Sequence, residues 1–168
     1  QTVDVPRGIE SPLSGADPYF LGCQFHALLK RVSDRERLSD QEKLLLPWLN
    51  ALRTTLRSMG VGKLDPSVRF RSAHGIPKGQ PDLIADGGPR SKGVIELKVV
   101  YSIPTQPEHE HLLQVGGYAA HLSSSSRFRH PWASLVYASF REAKLRFFIF
   151  DDTRPLVTKS RSLFECAA

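Results

Sequence analysis

The sequence predicts an α/β (α+β) fold, a mixed central β-sheet flanked by helices with a core of order α-α-β-β-β-α-β-β. Three observations predict it. Apolar residues recur at helical spacing between residues 18 and 59, the pattern changes to strand-like between 67 and 100, and one more helical segment separates that block from a final pair of strands. Strands interrupted by helices need a sheet with helices packed on its faces.

Residues 1–16 contain Pro6, Gly8, Pro12 and Gly15 with little periodicity, and read as an irregular amino-terminal arm. The remaining 17–168 read as a single domain, long enough to bury a core without disulfide staples. Asp17 followed by Pro18 is a helix start, an N-cap and then a first-turn proline, opening "PYFLGCQFHALLKRV". Ser39 and Glu42 form a capping-box pattern for a second helix, whose Leu45, Leu49, Leu52, Leu56 and Met59 keep helical spacing up to Gly60. Pro47 removes a backbone donor inside it and is expected to kink or divide it.

Three strands follow: "SVRFRSA" (67–73) alternates, "DLIAD" (82–86) is short and apolar, and "GVIELKVV" (93–100) is rich in β-branched residues. A helix is expected from about Glu108 to Leu122. The serine-rich "SSSSRFRH" (123–130) reads as a polar loop, and "ASLVYASF" and "KLRFFIF" as a hairpin around "REA". No internal repeat is present.

A net charge of +6 and a pI near 9.6 steer polyanions inward, with nucleic acid the foremost candidate. Cys23 and Cys166 are far apart and at no metal-cluster spacing, which excludes a disulfide framework and fits a reducing, cytoplasmic setting. No apolar run approaches the ~20 residues of a membrane span, and the first residues lack the pattern of a signal peptide, so no membrane partner is expected. The chain begins with Gln1, which admits a processed product or a piece of something longer.

Chemistry concentrates in "GQPDLIADGGPRSKGVIELKVV" (79–100). In a strand, Glu96 and Lys98 project from one face and Ile95, Leu97 and Val99 from the other. Val94 and Val100 share the charged face, so these charges sit in a strand that otherwise looks buried and need partners or a metal. Asp82 can come beside Glu96 if "DGGPRSKG" folds the strands back together. Two adjacent carboxylates repel unless a cation neutralises them, and hard oxygen donors suit Mg²⁺ or Mn²⁺. A solvated ion pair on a surface hairpin is the competing reading. On the next helix His111, Gln114 and Tyr118 share a polar face. Gly116 and Gly117 lie between the last two, each costing roughly 1 kcal/mol against Ala, so something needs the missing side chains.

Pro81-Asp82, Glu96-Leu97-Lys98 and Gln114-x-x-x-Tyr118, on strand, strand and following helix, resemble the PD-(D/E)xK nuclease superfamily. Gly22-x-x-x-His26 on the first helix is similar to a pattern of its RecB-like branch. The resemblance spans about residues 17–150 and implies a restriction-endonuclease-like core. It also implies that Asp82, Glu96, the Leu97 carbonyl and His26 hold Mg²⁺ or Mn²⁺. In the same way Lys98 would be the catalytic lysine, with Gln114 and Tyr118 positioning that lysine or the nucleic-acid strand. It favours DNA over RNA and an exonuclease acting in DNA processing, repair or mobile elements. The cysteines of the iron-sulfur members of that branch are missing, and no helicase motor is present, so any unwinding falls to a helicase partner or to another part of a longer protein.

Arg69, Arg71, Lys78, Arg90 and Lys92 flank the strand ends as candidate phosphate contacts, with Arg127 and Arg129 in the serine-rich loop. "GPRSKGV" lacks the lysine and following helix of a phosphate-binding loop, and "EHEH" lacks the zinc-protease spacing. Two further readings remain at this stage: a catalytically silent nucleic-acid-binding or assembly module, and a nuclease toxin domain of a larger effector. The intact Asp, Glu and Lys weigh against the first.

Overall fold

The computed structural model describes residues 2–4, 17–66, 68–70, 79–125 and 130–166. Helix α1 (Pro18–Ser33) starts as expected, with the Asp17 carboxylate accepting from the Tyr19 N–H at 3.1 Å. Pro47 divides the second helix into α2 (Asp40–Lys43) and α3 (Leu46–Ser58). It sits in the first turn of α3, where its missing N–H goes unneeded. The capping box closes α2: Glu42 N–H donates to Ser39 Oγ at 3.2 Å, and Ser39 N–H donates to Glu42 Oε2 at 2.7 Å.

The sheet has six strands, β1 (Thr2–Asp4), β2 (Val61–Asp65), β3 (Leu83–Gly87), β4 (Lys92–Val99), β5 (Trp132–Ser139) and β6 (Lys144–Phe150), in the order β1-β6-β5-β4-β3-β2. Only β4 and β5 run parallel, and the helix α4 (His109–Ser125) connects them. A closing helix, α5 (Arg154–Cys166), follows β6. Mixed pairing around one parallel pair, with helices on both faces, is the expected architecture.

Four expectations need correction. The first of the three consecutive strands is not 67–73: residues 68–70 carry only an isolated bridge between Phe70 and Gly79, while Ser67 and 71–73 lie outside the described residues. Its place is taken by β2, "VGKLD", which pairs with β3. The arm expected over 1–16 begins with a strand, because Thr2–Asp4 find ladder partners along the free edge of β6. Ser123–Ser125 are helical, since α4 continues past Leu122. And α5 was not anticipated at all.

Two faces bury the core. On one, α1, α2 and α3 contribute Phe25, Leu28, Leu45, Leu49, Leu52 and Leu56 against Leu83, Ile95, Leu97 and Val136. On the other, α4 and α5 cover Ile84, Val94, Leu135 and Tyr137 with Val115, Tyr118 and Leu156. β4 is sandwiched between them, so Glu96 in its middle is only 3% exposed. Gly116 lets α5 lie against α4: a Cβ there would meet the Leu156 carbonyl oxygen at 2.5 Å. Ser160 Oγ fastens the same contact by donating to Leu113 O at 3.0 Å. The missing side chain thus accommodates a backbone, and that backbone belongs to a helix off the sheet.

Candidate active site

The antiparallel hairpin of β3 and β4 pairs Leu83 with Ile95, which sets Asp82, one residue before β3, beside Glu96. Because β3 goes no further, the Leu97 N–H has no strand partner on that side. The Asp82 carboxylate takes it through Oδ2 at 2.6 Å, and Glu96 Oε2 accepts from the Asp82 N–H at 3.4 Å. Each carboxylate is thereby anchored to the other strand's backbone, and the two are held side by side.

Three further side chains complete the constellation. His26, from α1, places Nδ1 2.6 Å from Asp82 Oδ1. Gly22 lies one turn earlier, where an added Cβ would stand 3.9 Å from Val99, and so brings α1 close over β4. Lys98 Nζ donates to Glu96 Oε1 at 3.0 Å and to Gln114 Oε1 at 2.7 Å, and Gln114 Nε2 donates to the Tyr118 hydroxyl at 3.0 Å. A polar chain therefore runs from Tyr118 through Gln114 and Lys98 to Glu96 and, across the strands, to Asp82 and His26. Helix α4 supplies its outer members because Gln114 and Tyr118 are one turn apart.

Tyr118 is a buried member of this chain. Its ring packs closely on Gly79, where an added Cβ would stand 2.5 Å from Cε1, it is 9% exposed, and its hydroxyl accepts from Gln114. Burial raises its pKa, and the Glu96 charge pushes the same way.

Electrostatics mark Glu96 most strongly. Burial pushes its carboxyl up to about 7, with the Asp82 charge adding to the rise and Lys98 opposing it. The hydrogen bond to Asp82 raises His26 above its ordinary range, against the opposing effect of burial. Burial of the Glu96 carboxylate favours its taking up a proton or a cation.

The donors fit a hard divalent cation: two carboxylates and an imidazole, with a strand backbone alongside. Among the described residues, no group of three or more His, Cys, Asp or Glu side chains stands ready as a metal cage. In this arrangement His26 and Lys98 each sit against a carboxylate oxygen, of Asp82 and Glu96 respectively.

A second cluster, Tyr137 with His111 and Glu108, escaped sequence reading. Tyr137 pairs with Lys98 across the parallel strands, and its hydroxyl lies 2.8 Å from His111 Nδ1 and accepts from the Glu108 N–H at 3.0 Å. Tyr137 is fully buried, and the β4–β5 register sets it beside Lys98. His111 thus turns to Tyr137, and burial followed by the Lys98 charge lowers its pKa.

The basic candidates scatter. Arg69 is exposed beside Phe70, whose backbone bridges Gly79 near the site. Arg90 and Lys92 belong to the β3–β4 turn, which the antiparallel hairpin carries to the end of β3 away from Asp82. There Lys92 pairs with Asp86, and Arg90 donates to the Asp151 carbonyl at 2.6 Å. These two are therefore not beside the carboxylates. Arg71, Lys78, Arg127 and Arg129 lie outside the described residues. Among the described residues no helix is long and apolar enough to cross a membrane.

No family model matches the chain, and no curated protein matches it. Among solved structures, the crystal structure of SSO0001 is similar at a TM-score of 0.42 and 18% identity, covering 82% of this chain and 70% of that one. An alkaline exonuclease, LHK-Exo from Laribacter hongkongensis, is similar at a TM-score of 0.47 and 14% identity, over 98% of this chain and 88% of that one. Its complex with dAMP is similar at 0.46 and 14%, over 94% and 84%. At these scores the side chains must decide what the chain does.

Proposed function

We propose that the protein is a metal-dependent nuclease that hydrolyses phosphodiester bonds of nucleic acid, with DNA favoured over RNA by the motif resemblance. The observation that carries this reading is the convergence of Asp82, Glu96 and Lys98 at the end of the β3–β4 hairpin, with Lys98 3.0 Å from Glu96. Asp82 and Glu96 would hold Mg²⁺ or Mn²⁺. His26 would join them, and Leu97 would offer its carbonyl on the strand edge that its N–H already turns toward Asp82. Bound there, the ion supplies Lewis acidity toward a phosphate oxygen and toward water.

The chain's own residues do the rest. Lys98 has three N–H donors, of which Glu96 and Gln114 take two, leaving one for an oxygen of the phosphate or of the attacking water. Its positive charge would stabilise the charge developing on the phosphorane-like transition state. Gln114 holds the Lys98 ammonium toward Glu96, and Tyr118 holds Gln114. His26, 2.6 Å from the Asp82 carboxylate, would be the imidazole ligand, and Lys98, now 3.0 Å from Glu96, would offer its ammonium to substrate. The RecB-like, exonuclease and DNA-processing assignments, and a helicase partner, belong to this reading as its finer form.

Incubation of the purified protein with labelled single-stranded DNA, duplex DNA and RNA, with Mg²⁺, Mn²⁺ or EDTA, tests it. Metal-dependent cleavage that Asp82→Ala abolishes is expected. Absence of cleavage on every substrate and with both metals, or cleavage that Asp82→Ala leaves intact, refutes the reading.

A further inference from the structure

We infer that a groove between α3 and β2 is a second contact site for the nucleic-acid backbone, separate from the carboxylate site; the inference rests on the nuclease reading for its ligand class. The groove encloses about 260 Å³, and seven residues line it, Arg53, Leu56 and Arg57 from α3 and residues 61–64 of β2. Three of these seven, Arg53, Arg57 and Lys63, are cations and none is an acid. Arg53 is half-buried, while Arg57 and Lys63 are exposed. Among the described residues, no carboxylate pairs with any of the three. Elsewhere on the surface Lys43, Lys92 and Arg154 each find an aspartate. Three uncompensated cations around one concavity lower the cost of bringing in a polyanion and gain entropy from the counterions that it sheds.

The fold places this groove on a line with the site. In the backbone ladder Lys63 stands opposite Asp86, whose carboxylate is held by Lys92, and Asp86 is four residues along the chain from Asp82. That is roughly 13 Å of strand, about four nucleotide steps of B-form DNA at ~3.4 Å each. α3, which forms one wall, packs in the same core cluster as α1, the helix that delivers His26. Groove and imidazole therefore approach the sheet from the same face. Among the described residues β2 is an edge strand, with no further strand along this border of the sheet. The Gly88 N–H donates to Gly60 O at 3.1 Å, which ties the β3–β4 turn to the end of α3. A strand of nucleic acid held at Asp82 and running along β3 would meet these charges a few phosphates away.

The test uses a variant carrying Arg53→Gln, Arg57→Gln and Lys63→Gln together, and a charge-keeping control, Arg53→Lys with Arg57→Lys. Binding of a fluorescent oligonucleotide of about 30 nucleotides is measured in EDTA across salt concentrations, and hydrolysis of bis(4-nitrophenyl) phosphate, too small to span both sites, is measured with Mn²⁺. For the triple variant we expect the slope of log affinity against log salt to shrink by about two to three, with affinity at low salt at least tenfold weaker. The control should keep the parent slope, and small-substrate hydrolysis should be the same in all three proteins. A triple variant with the parent's slope, or a parent that does not bind the oligonucleotide, overturns the inference. If binding falls as expected while no protein cuts any phosphodiester, the groove stands and the nuclease reading fails.

Discussion

Glu96 sets the protonation chemistry of the site. Its carboxyl is raised to about 7 from an ordinary value near 4.5, so between those values the folded state holds a proton that the unfolded chain has released. Stability of the metal-free protein therefore falls as pH rises across that window. His26, raised above 6.5, adds a loss of the same sign at higher pH. In EDTA, urea unfolding should show the protein less stable at pH 8 than at pH 5, by on the order of 1–3 kcal/mol. Glu96→Gln should shrink that difference, and excess Mn²⁺ should offset it in the parent alone. A Glu96→Gln protein with the full pH dependence would place its origin elsewhere. Gln114 acts one contact further out: Gln114→Ala removes the acceptor that holds Lys98 and should slow cleavage about 10- to 100-fold. Tyr118→Phe keeps the ring against Gly79 and should lower the rate far less. Equal effects of the two variants on single-turnover cleavage would argue against Gln114 as the positioning group.

At the scale of elements, the α4–α5 contact shows what the sequence conceals. Gly116 and Gly117 announce a close approach, yet α5 is hard to read because "RPLVTKSR" is polar on average, even though Pro155 stands in the first turn, where a helix accepts it. The two glycines should answer oppositely to alanine. At Gly116 a Cβ meets the Leu156 carbonyl at 2.5 Å, so Gly116→Ala should destabilise by roughly 1–3 kcal/mol. At Gly117 the nearest atom, Ser160 Oγ, is 3.5 Å away, so Gly117→Ala should be neutral or stabilise by up to about 1 kcal/mol. Urea denaturation of both variants measures this, and equal destabilisation would refute the packing account. The β3–β4 hairpin and the division of the second helix at Pro47 were legible because turn residues, β-branched runs and caps are local signals. β1 and β2 were not, since three and five residues respectively become strands only by pairing with β6 and β3. The carboxylate, lysine and glutamine positions could be read from spacing along strand and helix. Tyr137 could not, because its place beside Lys98 depends on parallel register between strands whose paired residues lie 39 apart in sequence; that register is a property of the assembled sheet.

For the whole molecule, the sheet serves as a platform with two ends. One holds the carboxylates between α1 and α4, and the other presents the cations of α3, β2 and the β3–β4 turn. Net charge of +6 draws polyanions to the surface, and the uneven distribution of that charge orients them. In the proposed reaction the carboxylates would hold the metal and Lys98 would act on substrate. Mn²⁺ binding and Mn²⁺-dependent cleavage of a labelled oligonucleotide, both measured on Lys98→Ala, test that division most directly. The account predicts that this variant binds Mn²⁺ about as well as the parent and cuts at least ~100-fold more slowly. Cleavage at the parent's rate by Lys98→Ala would contradict it.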